Sequence, residues 1–279
     1  MILFKLKQAI KRNAFLDSIS RILLSAKFDH QYKLTDQAAE QRLNGYEDSR
    51  YKWIKDLKDT HLGERCFVVA TGPSLKMSDL ELIKDEFCFG MNSTLLCFDK
   101  TNWRPSFYMI QDENVYEKLQ NEISYANEKL SFPIVVNDVI AQKYQNARLY
   151  KRFPYHFLDH KKYHKNGFGE FKFSDDCYKI VYDGYSVIFS ILQFACYMGF
   201  KEIYLLGCDC NYNQKKTHFV DYGFRDPKAA IAGDRILIAH SEFKKFADSI
   251  GVMVINCTRG GMLEVYQRMK LEEVMEERK

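Results

Sequence analysis

No apolar run in this chain reaches 18 residues, so no segment is long enough to cross a membrane as a helix. Its eight cysteines show no paired metal spacing, and Cys208-x-Cys210 is too close for an ordinary zinc knuckle. Most of them sit in apolar runs, which reads as reduced thiols of a cytosolic protein. The charge excess is slight: 41 Lys and Arg against 37 Asp and Glu give +4 with histidine neutral. That is too little to argue for a nucleic-acid partner. The opening residues MILFKLKQAIKR lack the apolar core and small-residue cleavage site of a signal peptide, so a cytoplasmic protein is expected. There is no Walker A sequence, no GxGxxG, no internal repeat and no low-complexity segment.

What is present is 279 residues at 46% hydrophobic, enough for one large core, with or without a small appendage. Residues 1–27 carry six Lys/Arg and one acid, with apolar residues at near-helical spacing. Such a basic amphipathic helix either lies on an anionic membrane face or packs on the core with its basic side in water. Residues 28–62 are polar and helix-forming, with Trp53, Ile54 and Leu57 as a docking edge. Residues 1–62 are therefore expected to be a helical extension before a catalytic domain at 63–270.

From residue 65 strand and helix signals alternate, which predicts an α/β fold: a Rossmann-like, mostly parallel sheet with helices on both faces. Strands are expected at 66–70, 87–91, 106–111, 133–136, 179–182, 202–207 and 252–256, and helices at 75–85, 113–126, 186–198 and 236–249. The aromatic and basic span 140–178 and the polar span 210–235 read as lid-like or inserted loops.

The residues able to carry chemistry fall where the strands should end, the edge at which open α/β sheets bind ligands. The sharp turn Thr71-Gly72-Pro73-Ser74 after the first strand suits backbone N–H contacts to a phosphate. Asn92-Ser93 follows the second strand, where an amide can read a base edge or a ribose hydroxyl, or cap a helix. Gln111-Asp112 follows the third; Asp112 suits a hydroxyl or metal contact, or a helix N-cap. The strand 202–207 delivers Asp209, and behind it come Tyr212, His218, Asp221 and Tyr222. Histidine is the side chain best suited to proton transfer near neutral pH, and Asp221 could orient it. Tyr185-Ser186 precedes an apolar helix, and Arg259-Gly260-Gly261 follows the last strand, bringing a fixed cation and room for a ligand. No metal cluster is expected.

Together these stretches resemble a family. The segments VVATGPSL and FGMN resemble the Gly-Asn-Gly-Pro-Ser-Leu opening and following Asn of small bacterial sialyltransferases that build lipo-oligosaccharide. MGFKEIYLLGCD resembles the Asp-bearing strand of the same enzymes. A closer similarity is to proteins encoded in surface-polysaccharide gene clusters, through GPSL, NWRPSFYMIQD, HFxDY and INCTRGGMLEVY. That group is related to motility-linked flagellin glycosyltransferases and to an archaeal 6-hydroxymethylpterin diphosphokinase. The resemblance covers about residues 63–268.

It implies a cytidine-type nucleotide in the sheet crevice, no obligatory cofactor, and an inverting glycosyltransferase of cell-surface polysaccharide or lipo-oligosaccharide synthesis. The donor would be a CMP-linked acidic sugar and the partner a glycan or glycolipid acceptor. The family's loop Asn falls on Thr71 and its following Asn on Asn92. Tyr212 and His218 occupy the region of its paired tyrosines, and its catalytic His matches His240 by position. The residue pattern favours His218 as base, with Tyr222 or Arg259 stabilising the leaving phosphate; His240, among aliphatic neighbours, reads as a packing residue. A Mg²⁺-dependent diphosphokinase with Asp112 and Asp209 as ligands is the alternative. A non-catalytic nucleotide- or glycan-binding protein held at the inner membrane face by residues 1–27 is another. Homo-oligomerisation stays open.

Overall fold

A computed structural model describes residues 49–144, 152–158, 171–212, 218–220, 223 and 229–276, and before them 15, 16, 19, 30, 33–35 and 37–45. Eight parallel strands form one sheet in the order β10-β9-β8-β1-β2-β3-β4-β5. They are β1 (Arg65–Val69), β2 (Cys88–Met91), β3 (Phe107–Ile110), β4 (Ile134–Asn137), β5 (Arg152–Tyr155), β8 (Glu202–Leu206), β9 (Met253–Asn256) and β10 (Gln267–Arg268). β6 (Phe157–Leu158) and β7 (Val181–Tyr182) form a separate parallel pair.

The strands form because their residues are apolar on both faces. In β1, Cys66 and Val68 join one core with the helices Val187–Tyr197 and Ala229–Ser249. Phe67 and Val69, pointing the other way, join a second with the helices Met77–Leu82 and Leu271–Glu276. Strands β3 and β4 bury Tyr108, Ile110, Ile134 and Val136 under the helices Glu113–Lys118 and Gln120–Lys129. The arrangement is the expected Rossmann-like sheet with helices on both faces. From β1 the chain winds outward to β5, returns through Val187–Tyr197 to place β8 on the other side of β1, and continues outward to β10. The order therefore reverses between β1 and β8, which makes their C-terminal ends the topological switch point.

Several details differ from the sequence reading, and the helix Ala229–Ser249 starts inside the span 210–235 read as loop rather than at 236. First, part of 140–178 is not loop: Arg152–Tyr155 pairs with β4 at the sheet edge. Its Pro154 and mixed aromatic and basic composition hide it, and an edge strand tolerates proline because one row of its backbone groups needs no partner. Second, the strand expected at 179–182 pairs with β6, outside the main sheet. Third, the helix expected over 113–126 is broken at Leu119 (φ −105°, ψ 15°) into two.

Before the sheet, Ile54 is fully buried in the first core, and Trp53 stacks on Phe194 at 5.7 Å and donates Nε1–H to the Pro154 carbonyl. The amphipathic stretch 1–27 lies outside the described residues except for Phe15, Leu16 and Ile19, which are helical and exposed. No helix among the described residues is long and apolar enough to cross a membrane.

Candidate functional site

A cleft opens at the switch point, enclosing about 610 Å³ of non-atom space, part of it continuous with solvent. The turn after β1, the end of β2, the β8 loop, the start of Val187–Tyr197 and one face of Ala229–Ser249 form its walls. Of the residues expected from sequence, Thr71, Gly72, Asn92, Ser186, Asp209, Tyr212, His218 and His240 line it.

The turn after β1 is held against the β8 loop by backbone: Gly72 N–H donates to the Gly207 carbonyl at 2.8 Å. A Cβ on Gly72 would lie 1.9 Å from Asp209 Oδ2, so only glycine lets the two loops approach this closely. Ser74 Oγ donates to Asp209 Oδ2 at 2.8 Å, with the Ser74 N–H at 3.4 Å from the same oxygen. Sequence reading places a phosphate over these donors, whereas here they serve a carboxylate of the chain itself. Asp209 is fixed in turn by its carbonyl, which accepts from Met262 N–H at 2.7 Å. Gly261, at φ +83°, admits that contact; a Cβ there would lie 2.3 Å from the Asp209 carbonyl oxygen.

Asn92 follows β2 with φ +47°, a left-handed conformation that asparagine tolerates better than most residues. Its carbonyl accepts from Tyr108 OH at 2.7 Å, while its side-chain Oδ1 is buried with no hydrogen-bond partner. The next residue, Ser93, is fully buried with Oγ likewise unpartnered, behind the cleft wall. A buried polar atom without a partner costs about 1–3 kcal/mol, and Asn92 also lines the cleft.

The two histidines lie on the same cleft and differ in setting. His218 is half-buried, with Nδ1 3.4 Å from Thr71 Oγ1, and the next residue anchors it: Phe219 N–H donates to the Thr71 carbonyl at 2.9 Å. His240 is fully buried, 4.7 Å from the Phe189 ring. Its Nδ1 lies 3.0 Å from Tyr266 OH, and that hydroxyl donates to the His240 carbonyl at 3.2 Å. Tyrosine has one proton to give, so both contacts are satisfied only if Nδ1–H donates to the tyrosine oxygen. That leaves Nε2 as a bare lone pair, and Nε2 has no partner in the protein. Burial pushes the pKa of His240 down to about 3, so the ring is neutral at physiological pH. Helical spacing puts Ile236 on the cleft one turn before it; the i, i+4 relation to His240 was the signal for that residue.

The other expected residues lie elsewhere. Arg259 is held by Asp79 at 2.6 Å and Glu272 at 2.6 Å, on a separate cleft beside β9 and β10. Its charge is thus already matched within the chain, and those two carboxylates raise its pKa. The Gly260 carbonyl accepts from Arg268 at 3.1 Å. Asp112 caps the helix Glu113–Lys118, accepting from Asn114 N–H at 2.8 Å and Val115 N–H at 3.3 Å. Gln111 donates to Asp183 Oδ1 at 2.9 Å and accepts from Ser190 Oγ at 2.8 Å, behind the cleft wall. Pro73 shapes the turn without lining the cleft. Asp221 and Tyr222 lie outside the described residues. Cleft residues that sequence reading passed over include Cys208 and Cys210 on either side of Asp209; burial raises both thiols, Cys210 to about 12.

Among solved structures, a MAf glycosyltransferase from Magnetospirillum magneticum AMB-1 is similar at 17% identity with a TM-score of 0.49. The match covers 76% of this chain and 34% of that one, so this chain corresponds to about a third of its length. No curated protein matches. A family model matches residues 43–215, from before β1 through β8 to Tyr212 and beyond, and so takes in both sides of the switch-point crevice. With more than half of its length inside that match, the chain belongs to the 6-hydroxymethylpterin diphosphokinase MptE-like family.

Proposed function

We propose that the protein is a glycosyltransferase that binds a nucleotide-activated sugar, most simply a CMP-linked acidic sugar, in the switch-point cleft. The acceptor is a hydroxyl of a cell-surface glycan or glycolipid. The observation that carries this reading is the pair of imidazoles on one cleft at the switch point. One, His240, is a neutral, fixed lone pair; the other, His218, stands half-buried on the loop beyond β8. An acceptor hydroxyl attacks the anomeric carbon with inversion, and the bond from that carbon to the phosphate oxygen breaks. The nucleotide departs with the electron pair, and His218 takes the hydroxyl proton. The depressed basicity of His240 suits it to accept a hydrogen bond and orient substrate rather than to hold a proton. Asn92 Oδ1 matches a donor on the nucleotide, such as an exocyclic amine.

The family match favours a second reading, transfer of diphosphate from ATP to a pterin-type alcohol. That reaction uses Mg²⁺, for which Asp112 and Asp209 were the sequence candidates. Asp112 is engaged as a helix cap and does not line the cleft, and Asp209 is bound by Ser74, so this pair does not fit a shared ion.

Thermal stabilisation by a nucleotide panel distinguishes the readings, because a ligand specific to the native state adds about 2.7 kcal/mol at a hundredfold excess over Kd. CMP or CDP is expected to raise the midpoint more than ATP or GTP. A larger shift with a purine nucleotide rejects the cytidine donor.

A further inference from the structure

We infer that Arg235, seated on the ring of Tyr185 and next in sequence to the cleft-lining Ile236, is the cation that reads an oxyanion of the donor. The inference rests on the proposed reading, since an anionic donor brings charge into a cleft whose only charged side chain among its described lining residues is Asp209, an anion. The sequence candidate for that role, Arg259, is committed to Asp79 and Glu272 on another cleft.

Arg235 adjoins the cleft wall in sequence and packs on Tyr185. Its guanidinium carbon lies 5.1 Å from the centroid of Tyr185. The next residue on its helix, Ile236, lines the cleft, as does Ser186, the residue after Tyr185. A guanidinium resting on an aromatic face keeps its N–H groups in the plane of its edge, the geometry that meets a carboxylate or phosphate through two hydrogen bonds.

Tyr185 itself is held at a conformational cost. Its φ of +70° is rare for a bulky residue and costs on the order of 1–3 kcal/mol. The Tyr185 N–H donates to Asp183 Oδ1 at 2.8 Å, and Gln111 Nε2 donates to the same oxygen at 2.9 Å. Gly184 presses the turn onto the next helix so closely that a Cβ would lie 2.4 Å from the Phe189 ring. The Phe171 ring, 5.7 Å from Tyr185, supports it from the side. Strain kept in place by this many contacts fixes the ring, and the ring fixes the cation. Tyr185 is a positioning residue and Arg235 the one that meets the ligand.

The oxyanion is either the donor's phosphate or a carboxylate on its sugar, and binding to the full chain separates them. Cytidine, CMP and a CMP-linked acidic sugar would be titrated against wild type, Arg235→Met and Arg235→Lys by calorimetry. If the phosphate is read, Arg235→Met weakens CMP about 10- to 100-fold and leaves cytidine unchanged. If the carboxylate is read, CMP and cytidine are unchanged and the acidic-sugar donor alone weakens by that factor. In either case Arg235→Lys recovers part of the loss, and Tyr185→Gly, which relieves the φ strain but removes the platform, weakens the same ligand as Arg235→Met. Wild-type affinities for all three ligands in Arg235→Met, with an unchanged melting midpoint, overturn the inference. Should the wild type prefer a purine nucleotide, the cytidine reading fails alone and Arg235 is judged by adenosine against ADP. Failure to bind any nucleotide overturns both.

Discussion

His240 shows how far one side chain's setting can decide its chemistry. Its folded pKa, about 3, lies below the ordinary histidine value of 6.5 because the ring is buried. The unfolded chain therefore binds a proton that the native state refuses, and stability is lost as pH falls from about 6.5 towards 3. Between pH 7 and pH 5 this one group should remove about 2 kcal/mol. Urea unfolding of His240→Leu across that range is expected to show a visibly shallower acid limb than wild type; parallel limbs would place the ring in contact with water. His218 makes a different prediction. As the proton acceptor, its replacement by alanine should slow turnover by about 10²–10⁴ and leave CMP affinity within a few-fold, because a general base acts in the chemical step. Steady-state rates beside calorimetric binding check it, and near-normal turnover would move the base to another group.

Among the elements, the helix Glu113–Lys118 separates a structural carboxylate from a functional one. Asp112→Ala should cost about 1 kcal/mol of stability through loss of the N-cap. Nucleotide-induced stabilisation should be the same before and after, as read by melting with and without CMP; loss of the ligand effect would return Asp112 to the site. Asp112 also marks where reading from sequence stopped. Strand ends were legible because buried parallel strands are short, continuous apolar runs, and so the residues just beyond them, Thr71, Asn92 and Asp209, could be named. The sequence did not reveal which of those polar residues another part of the chain already satisfies. Asp209 takes Ser74 across 135 residues and Arg259 takes Asp79 across 180, pairings that only the assembled sheet brings together. The edge strand Arg152–Tyr155 escaped for a local reason, since proline and arginine interrupt the pattern that marks a central strand.

At the scale of the molecule, the first buried side chain among the described residues is Ala39, followed by Tyr51 and Ile54 before the first strand of the main sheet. Removing residues 1–25 should therefore leave a cooperative melting transition. The basic stretch should matter instead at an anionic surface, where each Lys or Arg contributes about 1 kcal/mol in low salt. Vesicle co-sedimentation of full-length and truncated protein tests this: weaker, less salt-sensitive binding of the truncated form is expected, and equal binding would remove the surface role.

The central pairing of the sheet also bears on how the chain comes into being. β1 lies between β2 and β8, and its register with β8 matches Arg65 to Glu202, 137 residues later (202 minus 65). A ribosome adding roughly 5–20 residues per second needs about 7–27 s to cover that distance. For that interval a central, largely buried strand of the finished protein has one side bare, an edge able to recruit any other extended chain. The switch point that creates the cleft therefore makes the nascent protein vulnerable, and slowing synthesis between the codons for β5 and β8 should lower soluble yield more than an equal pause after β9.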